Sequence, residues 1–214
     1  MRNKRGTLLI VLGLLLITAA LLLTGYNIWD ERRAAATADS VLQSMPDELR
    51  TAVSEPAADD SVLENPDPQE TFIPDYILNP GMEMPTLEFD GKLYIGVISI
   101  PSIGVELPVL SEWSTANLRT APCRYTGSAY TDDMILAGHN YRTHFGSLHR
   151  VSIGDAVTFT DAQGNLFCYT VAEMEVLDGK AVEQMQSGDW DLTLFTCTYG
   201  GRSRITVRCE RTKP

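Results

Sequence analysis

The sequence predicts a mainly β protein: a sandwich or closed barrel with short helices, preceded by a transmembrane helix and an acidic linker. Three observations lead there. A single uncharged, apolar stretch lies close to the N-terminus, and a Pro- and Ala-rich acidic stretch follows it. From Lys92 onward, short β-rich runs are separated by Gly, Pro and Asp. The chain has 214 residues, 44% of them hydrophobic, with a formal net charge of −11. That size suits one domain with a substantial core plus appendages. A balance this acidic argues against nucleic acid as a partner, because phosphate binding needs a Lys/Arg surface. Four cysteines are too few for a small disulfide-built scaffold.

The charge is unevenly spread and divides the chain into three. Residues 1–33 carry five Lys/Arg against two Asp/Glu, a net of +3. Residues 34–85 carry one Arg against eleven acids, a net of −10. Residues 86–214 carry eleven basic residues against fifteen acids, a net of −4.

In the first segment, Arg2, Lys4 and Arg5 precede an uncharged run from Gly6 to Trp29. As a helix this run is roughly 36 Å long, enough for a hydrocarbon core of ~30 Å. Tyr26 and Trp29 stand at its far end, where aromatic rings favour the interface. The leading basic cluster predicts a cytoplasmic N-terminus and an extracellular remainder. A cleaved signal peptide is disfavoured. Ala36-Thr37-Ala38 lies too far from the apolar run for cleavage, and Thr18-Ala19-Ala20 lies inside it. The Ala-rich stretch from Ala34 to Met45 extends the helix outward, and Pro46 interrupts it. Ser44 then caps a short further helix. The rest of segment 34–85 has little to bury and repels itself, so an extended extracellular stalk is expected.

The last segment, 86–214, holds seven candidate strands: Leu93–Ile100, Val105–Leu110, Met134–Ala137, Ala156–Thr160, Leu166–Val176, Trp190–Thr196 and Arg204–Arg208. Alternation is clearest in Ile205–Cys209 and Phe167–Val171, and Asp161–Asn165 reads as a hairpin turn. Helical turns are expected around Ser114–Arg119, Phe145–His149 and Ala181–Met185. So many short strands in so few residues indicate a sandwich or closed barrel.

The candidate chemistry is a thiol, an imidazole and a guanidinium. Cys197 ends the run Leu192–Thr196 and opens a Gly-containing turn. His139 ends the apolar run Met134–Ala137 through Gly138. A thiol is only a few per cent ionised at neutral pH, so a nucleophilic cysteine needs a cationic or imidazole neighbour. A short turn between antiparallel strands returns Arg204 beside Cys197, where it can hold a carbonyl or an oxyanion. Arg202, Arg208 and Arg211, close in sequence, complete an expected basic patch around the thiol. Asn140 and Tyr199 flank the cleft as candidate substrate contacts, as does Thr196. His139, His144 and His149 are spaced five apart, which suits no common helical face, so no metal site is read there and His144 and His149 are taken as loop residues. Asp132 and Asp133 are too sparse for a calcium site. Cys123, Cys168 and Cys209 lack metal-ligand spacing and read mainly as small buried thiols.

Thr193-Leu194-Phe195-Thr196-Cys197 matches the Thr-Leu-x-Thr-Cys signature of sortases, the cysteine transpeptidases of Gram-positive cell surfaces. Ala137-Gly138-His139 resembles that family's Gly-His segment. Arg204 in Ser203-Arg204-Ile205-Thr206-Val207 resembles its essential arginine, and Ile98–Gly104 is similar to the start of its barrel. The resemblance spans about residues 92–210. It implies an eight-stranded sortase-type β-barrel that cleaves an LPxTG-like C-terminal sorting signal through a thioacyl-enzyme. Cys197 would be the nucleophile, His139 the general acid and base, and Arg204 the positioning or oxyanion-stabilising group. Implied partners are surface proteins bearing sorting signals and an amine acceptor on a cell-wall precursor or another protein. No cofactor is implied. The short segment between Val176 and Leu192 argues against class B, whereas Gly138-His139-Asn140 and Phe145–Leu148 look class B-like. The short Cys197-to-Arg204 turn fits classes C and D, and the expectation is a class D-like or unassigned subclass. A thiol hydrolase working with water and an inactive surface module are the alternatives.

Overall fold

The computed structural model describes residues 4–45 and 73–212. The helix expected after Pro46 and the centre of the stalk lie outside the described residues. Helix α1 (Lys4–Ser44) contains one stretch long and apolar enough to cross a membrane, with a mean hydropathy of 2.7 and none of that window buried against protein.

Nine strands follow: β1 (Leu87–Phe89), β2 (Lys92–Ile100), β3 (Val105–Leu110), β4 (Cys123–Thr126), β5 (Met134–Gly138), β6 (Ala156–Asp161), β7 (Leu166–Asp178), β8 (Leu192–Cys197) and β9 (Ser203–Arg211). Their order is β1-β2-β3-β4-β5-β8-β9-β7-β6, and β6 pairs back onto β2. Strands β2 to β9 therefore form a closed eight-stranded barrel, which leaves those strands no long free edge. Strand β1 is a short antiparallel addition to the start of β2. All seven expected strands are present. Strands β1 and β4 were missed because three or four residues show too little alternation to stand out. The expected helical turns are α3 (Thr115–Leu118), a 3-10 turn at Phe145–Arg150 and α4 (Val182–Gln186). Ser114 caps α3 by accepting the Asn117 N–H.

The core follows the period-two pattern. Ile98 and Ile100, Met134 and Leu136, Leu192 and Leu194, and Val207 and Cys209 point into the barrel around Phe159 and Phe167. At the β6–β7 hairpin, buried Asp161 accepts hydrogen bonds from the Tyr130 hydroxyl at 2.6 Å and from the Gln163 and Asn165 N–H groups. These bonds compensate the carboxylate for its burial.

The expected linker, 34–85, is packed on the barrel at both its ends. In α1 and the residue that follows it, Ala34, Ala38, Val41 and Met45 recur at spacings of four, three and four, and all are buried. Val41 and Met45 join Tyr94, Val97, Leu110, Ala121 and Cys123 in a second apolar cluster. At the other end, α2 (Asp75–Leu78) stacks Tyr76 on Tyr130 at 4.7 Å, and Met84 enters the main core. The acidic composition concealed these few apolar residues, which suffice to dock the segment's two ends.

Arg208 is the largest fully buried side chain. Its Nε donates to Glu175 Oε1 at 3.1 Å, and its Nη atoms donate to Thr193 Oγ1 and to the carbonyls of Met185 and Gln184. It ties α4 to β7, β8 and β9. Arg208→Met leaves two carbonyls and Glu175 without that donor. It should cost about 2–4 kcal/mol, measured by equilibrium denaturation. Gly138 lets β5 pass against the buried Phe145 ring, since a Cβ there would sit 2.3 Å from Phe145 Cδ2. Gly138→Ala should destabilise by about 1–3 kcal/mol in the same measurement, and near-UV circular dichroism should report the displaced aromatic ring.

Candidate active site

Strands β5 and β8 run parallel with Met134 opposite Leu192 and Gly138 opposite Thr196. His139 follows Gly138 and Cys197 follows Thr196, so the two reach the same barrel end on adjacent strands. The alternation that sends Leu136 and Leu194 inward places Ala137 and Phe195, then His139 and Cys197, on the outer face. Strand β9 runs antiparallel to β8 and sets Arg204 directly opposite Cys197. The connecting turn is closed by Thr198 N–H to the Ser203 carbonyl at 2.8 Å and by Gly201 N–H to the Thr198 carbonyl at 2.9 Å. Gly200 and Gly201 adopt φ of 84° and 68°, which explains the glycine pair there. The three candidate residues are thus brought together by one parallel and one antiparallel register.

Cys197 is exposed, while His139 and Arg204 are half-buried. Arg204 places its guanidinium carbon 5.6 Å from the centre of the Phe195 ring, and among the described residues its Nε and Nη1 have no hydrogen-bond partner. These buried donors are available to a carbonyl or an oxyanion beside the thiol. Burial pushes the His139 imidazole below its ordinary pKa. The Asp30 carboxylate opposes that shift, and the Arg119 guanidinium adds to it. The His139 ring stacks on Tyr141 at 3.8 Å and an interplanar angle of 24°.

From this centre an aromatic series crosses the outer face. Phe195 meets Tyr125 edge-on at 5.5 Å, and Tyr125 meets Trp113 edge-on at 5.8 Å. Ile135, Ala137 and Met185 supply the apolar floor, with Leu118 and Leu177 packed against it. On another side of Cys197, a cavity of about 500 Å³ is lined by Asn140, Arg142, Arg150, Thr196 and Tyr199 among others. The three secondary candidates therefore all border the cysteine's cavity. Tyr199 is exposed, whereas Thr196 is buried with its hydroxyl unpartnered among the described residues.

The expected basic patch is not assembled. Arg208 is buried on Glu175, and Arg211 pairs with Asp132 at 2.7 Å at the opposite end of β9. Sequence proximity misled because a strand advances about 3.3 Å per residue, carrying Arg208 and Arg211 away from the turn. Arg142 and Arg150 instead bring positive charge to the cavity from the segment after β5. Asp133 is engaged by the Ser128 N–H and the Thr131 hydroxyl. His144 is no ordinary loop residue. It is fully buried against Tyr141, and burial holds its imidazole down to about 4 and hence neutral at pH 7. All four cysteines are free, with Cys123 and Cys209 buried and pushed up to about 12 by desolvation.

Sequence reasoning missed Tyr141, Asp30 and the Trp113–Tyr125–Phe195 series. Asp30 lies 109 residues from His139 in the chain, so no local spacing relates the two. The available signal was the buried stripe of α1, which docks this helix on the barrel.

A family model for the sortase domain matches residues 98–212, more than half of the chain. Sortase A of Listeria monocytogenes is 32% identical over 115 residues, which are 51% of this chain and 51% of that protein. The chain therefore spans about half the length of the curated relative it matches. Among solved structures, sortase C from Clostridium perfringens SM101 is 25% identical with a TM-score of 0.50, covering 68% of this chain and 78% of that one. Sortase C1 from Streptococcus agalactiae is 24% identical with a TM-score of 0.53, covering 68% and 80%. The latter likeness is one of fold. The matched region contains the strand ends that carry His139 and Cys197, the arginine paired across from the thiol, and the strands that close the barrel around them. On these grounds the chain belongs to the sortase family.

Proposed function

We propose that the protein is a membrane-anchored cysteine transpeptidase that acts on LPxTG-like sorting signals. The observation that carries this reading is the shared outward position of Cys197, His139 and Arg204 at one barrel end, beside the edge-on ring series Phe195, Tyr125 and Trp113. An extended peptide laid along that ring series brings a scissile carbonyl to the thiol. Cys197 attacks the carbonyl carbon, and its proton is taken up on the imidazole side. The unpartnered Arg204 donors hold the developing oxyanion. His139 protonates the departing amine as the C–N bond breaks, leaving a thioester on Cys197. An acceptor amine entering through the cavity beside Arg142 and Arg150 gives a proton to His139 and displaces the thiolate, which restores the enzyme. The apolar run Gly6–Trp29 anchors the chain with its N-terminus in the cytoplasm and the barrel outside. Substrates are surface proteins carrying the signal, and acceptors are amines of the cell-wall precursor or of another protein. The chemistry uses no metal or organic cofactor. A class D-like or unassigned subclass fits the short turn from Cys197 to Arg204, and the short connection that contains α4 argues against class B.

Full-length protein in detergent micelles, given a sorting-signal peptide and a mixture of amines, should yield the cleaved peptide joined to an amine by mass spectrometry. Cys197→Ala should lower turnover by at least about 10³-fold, and retained turnover would sink the assignment. A product ended only by water, whatever amine is offered, would identify a thiol hydrolase instead. Arg204→Lys keeps the charge but loses the planar fork. It should reduce kcat by about 10²-fold with little change in KM, as steady-state kinetics would show.

A further inference from the structure

The buried stripe of α1 fixes the rotation of that helix on the barrel, and so fixes what its preceding turn meets. Asp30 and Glu31 stand one turn before Ala34 and face the segment that leaves β5. The Tyr141 hydroxyl donates to Asp30 Oδ2, and the Arg142 N–H donates to Glu31 Oε1 at 2.8 Å. Tyr141 in turn lies flat on the His139 ring. The segment is folded on itself through the Tyr141 carbonyl, which accepts the His144 and Gly146 N–H groups at 3.0 and 2.9 Å. The Phe145 N–H returns to the His139 carbonyl at 3.2 Å. Two acids of a helix that is far away in sequence thus hold the short segment carrying the imidazole.

We propose that Asp30 and Tyr141 are positioning residues for His139, so that the N-terminal helix is a working part of the active site as well as an anchor. The role rests on the reading of His139 as the general acid and base. Nothing in the transpeptidase chemistry requires it, and a barrel with the same three central residues would lack it without α1. The ring stack restricts rotation of the imidazole, and the Asp30 bond restricts Tyr141. The groups facing His139 are Asp30 from α1, Arg119 after α3, Tyr141 and His144 of its own segment, and Cys197 with Arg204 from β8 and β9. Glu31 of the same turn is engaged by the Arg142 N–H, so among the described residues Asp30 is the carboxylate that acts on His139. Its charge favours the imidazolium that must form when His139 holds a proton for the leaving amine.

The sign follows. Removing the carboxylate charge removes an attraction for the imidazolium, so His139 should release its proton at lower pH. Full-length protein labelled with ¹³C-histidine in detergent micelles, with His139→Gln to assign the resonance, reads this directly by NMR. Asp30→Asn should move the His139 midpoint to lower pH. Tyr141→Phe, which keeps the stacked ring but removes the hydroxyl bridge, should move it less in the same direction. Asp30→Glu should restore the wild-type midpoint at least in part. In turnover of the sorting-signal peptide, kcat/KM at neutral pH should fall roughly three- to tenfold in Asp30→Asn, and the limb of the pH profile that reports His139 should move down. An unmoved midpoint in Asp30→Asn overturns the proposal, as does a fall in rate that is uniform with pH. Wild-type protein that never turns over the peptide defeats the transpeptidase reading, while the NMR titration still decides the contact.

Discussion

The geometry of the site depends on the register between the parallel strands β5 and β8. A parallel pair brings two strand ends to the same side of a sheet, and here the ends are His139 and Cys197. The two strands are separated in sequence by β6, β7 and α4, so no short turn holds the pairing. It is maintained by the inward residues Met134, Leu136, Leu192 and Leu194, which lock each strand's face toward the core. A slip of one residue would turn that whole apolar set outward and draw the imidazole and thiol inward, so the core specifies the register. Burial energy in the barrel thereby becomes positional precision at its rim.

The barrel also separates two uses of the arginines. On β9, Arg204, Thr206 and Arg208 share a face, yet their surroundings differ along the strand. Arg208 meets α4 and Glu175, and each of its three guanidinium nitrogens has a hydrogen-bond partner. Arg204 stands opposite Cys197 in the strand register and over the Phe195 ring, and two of its nitrogens have no partner among the described residues. The fully engaged arginine braces α4 against the barrel wall, and the other has donors to give. Partner count, more than residue type, distinguishes the structural guanidinium from the one suited to chemistry.

Helix α1 combines two physical regimes in one element. Its first part is apolar on every side, as a helix facing lipid would be, and its last three turns carry a single narrow stripe. Ala34 and Ala38 bring the backbone close to the barrel, and Asp30 and Glu31 fall on the segment beside His139. On the proposed reading, one rigid rod both anchors the protein and holds the segment that carries the imidazole.

Much of the local structure was legible in the sequence. The strands with clear alternation, the hairpin at Asp161–Asn165 and the apolar N-terminal helix follow from spacing and turn chemistry, and the choice of Cys197, His139 and Arg204 as candidates follows from motif. The Cys197–Arg204 pairing was legible too, since a short turn between antiparallel strands leaves few registers. What required the tertiary structure were contacts between segments distant in the chain: the dispersal of Arg208 and Arg211, the burial of His144, the docking of both linker ends, and the bonds from Asp30 and Glu31. The physical reason is common to them. Secondary structure and short turns are written in neighbouring residues, whereas the partners of a charged or aromatic side chain are chosen by the packing of whole elements. The sequence by itself determined which groups this protein has for chemistry, and only the closed barrel with its docked helix decided what surrounds them.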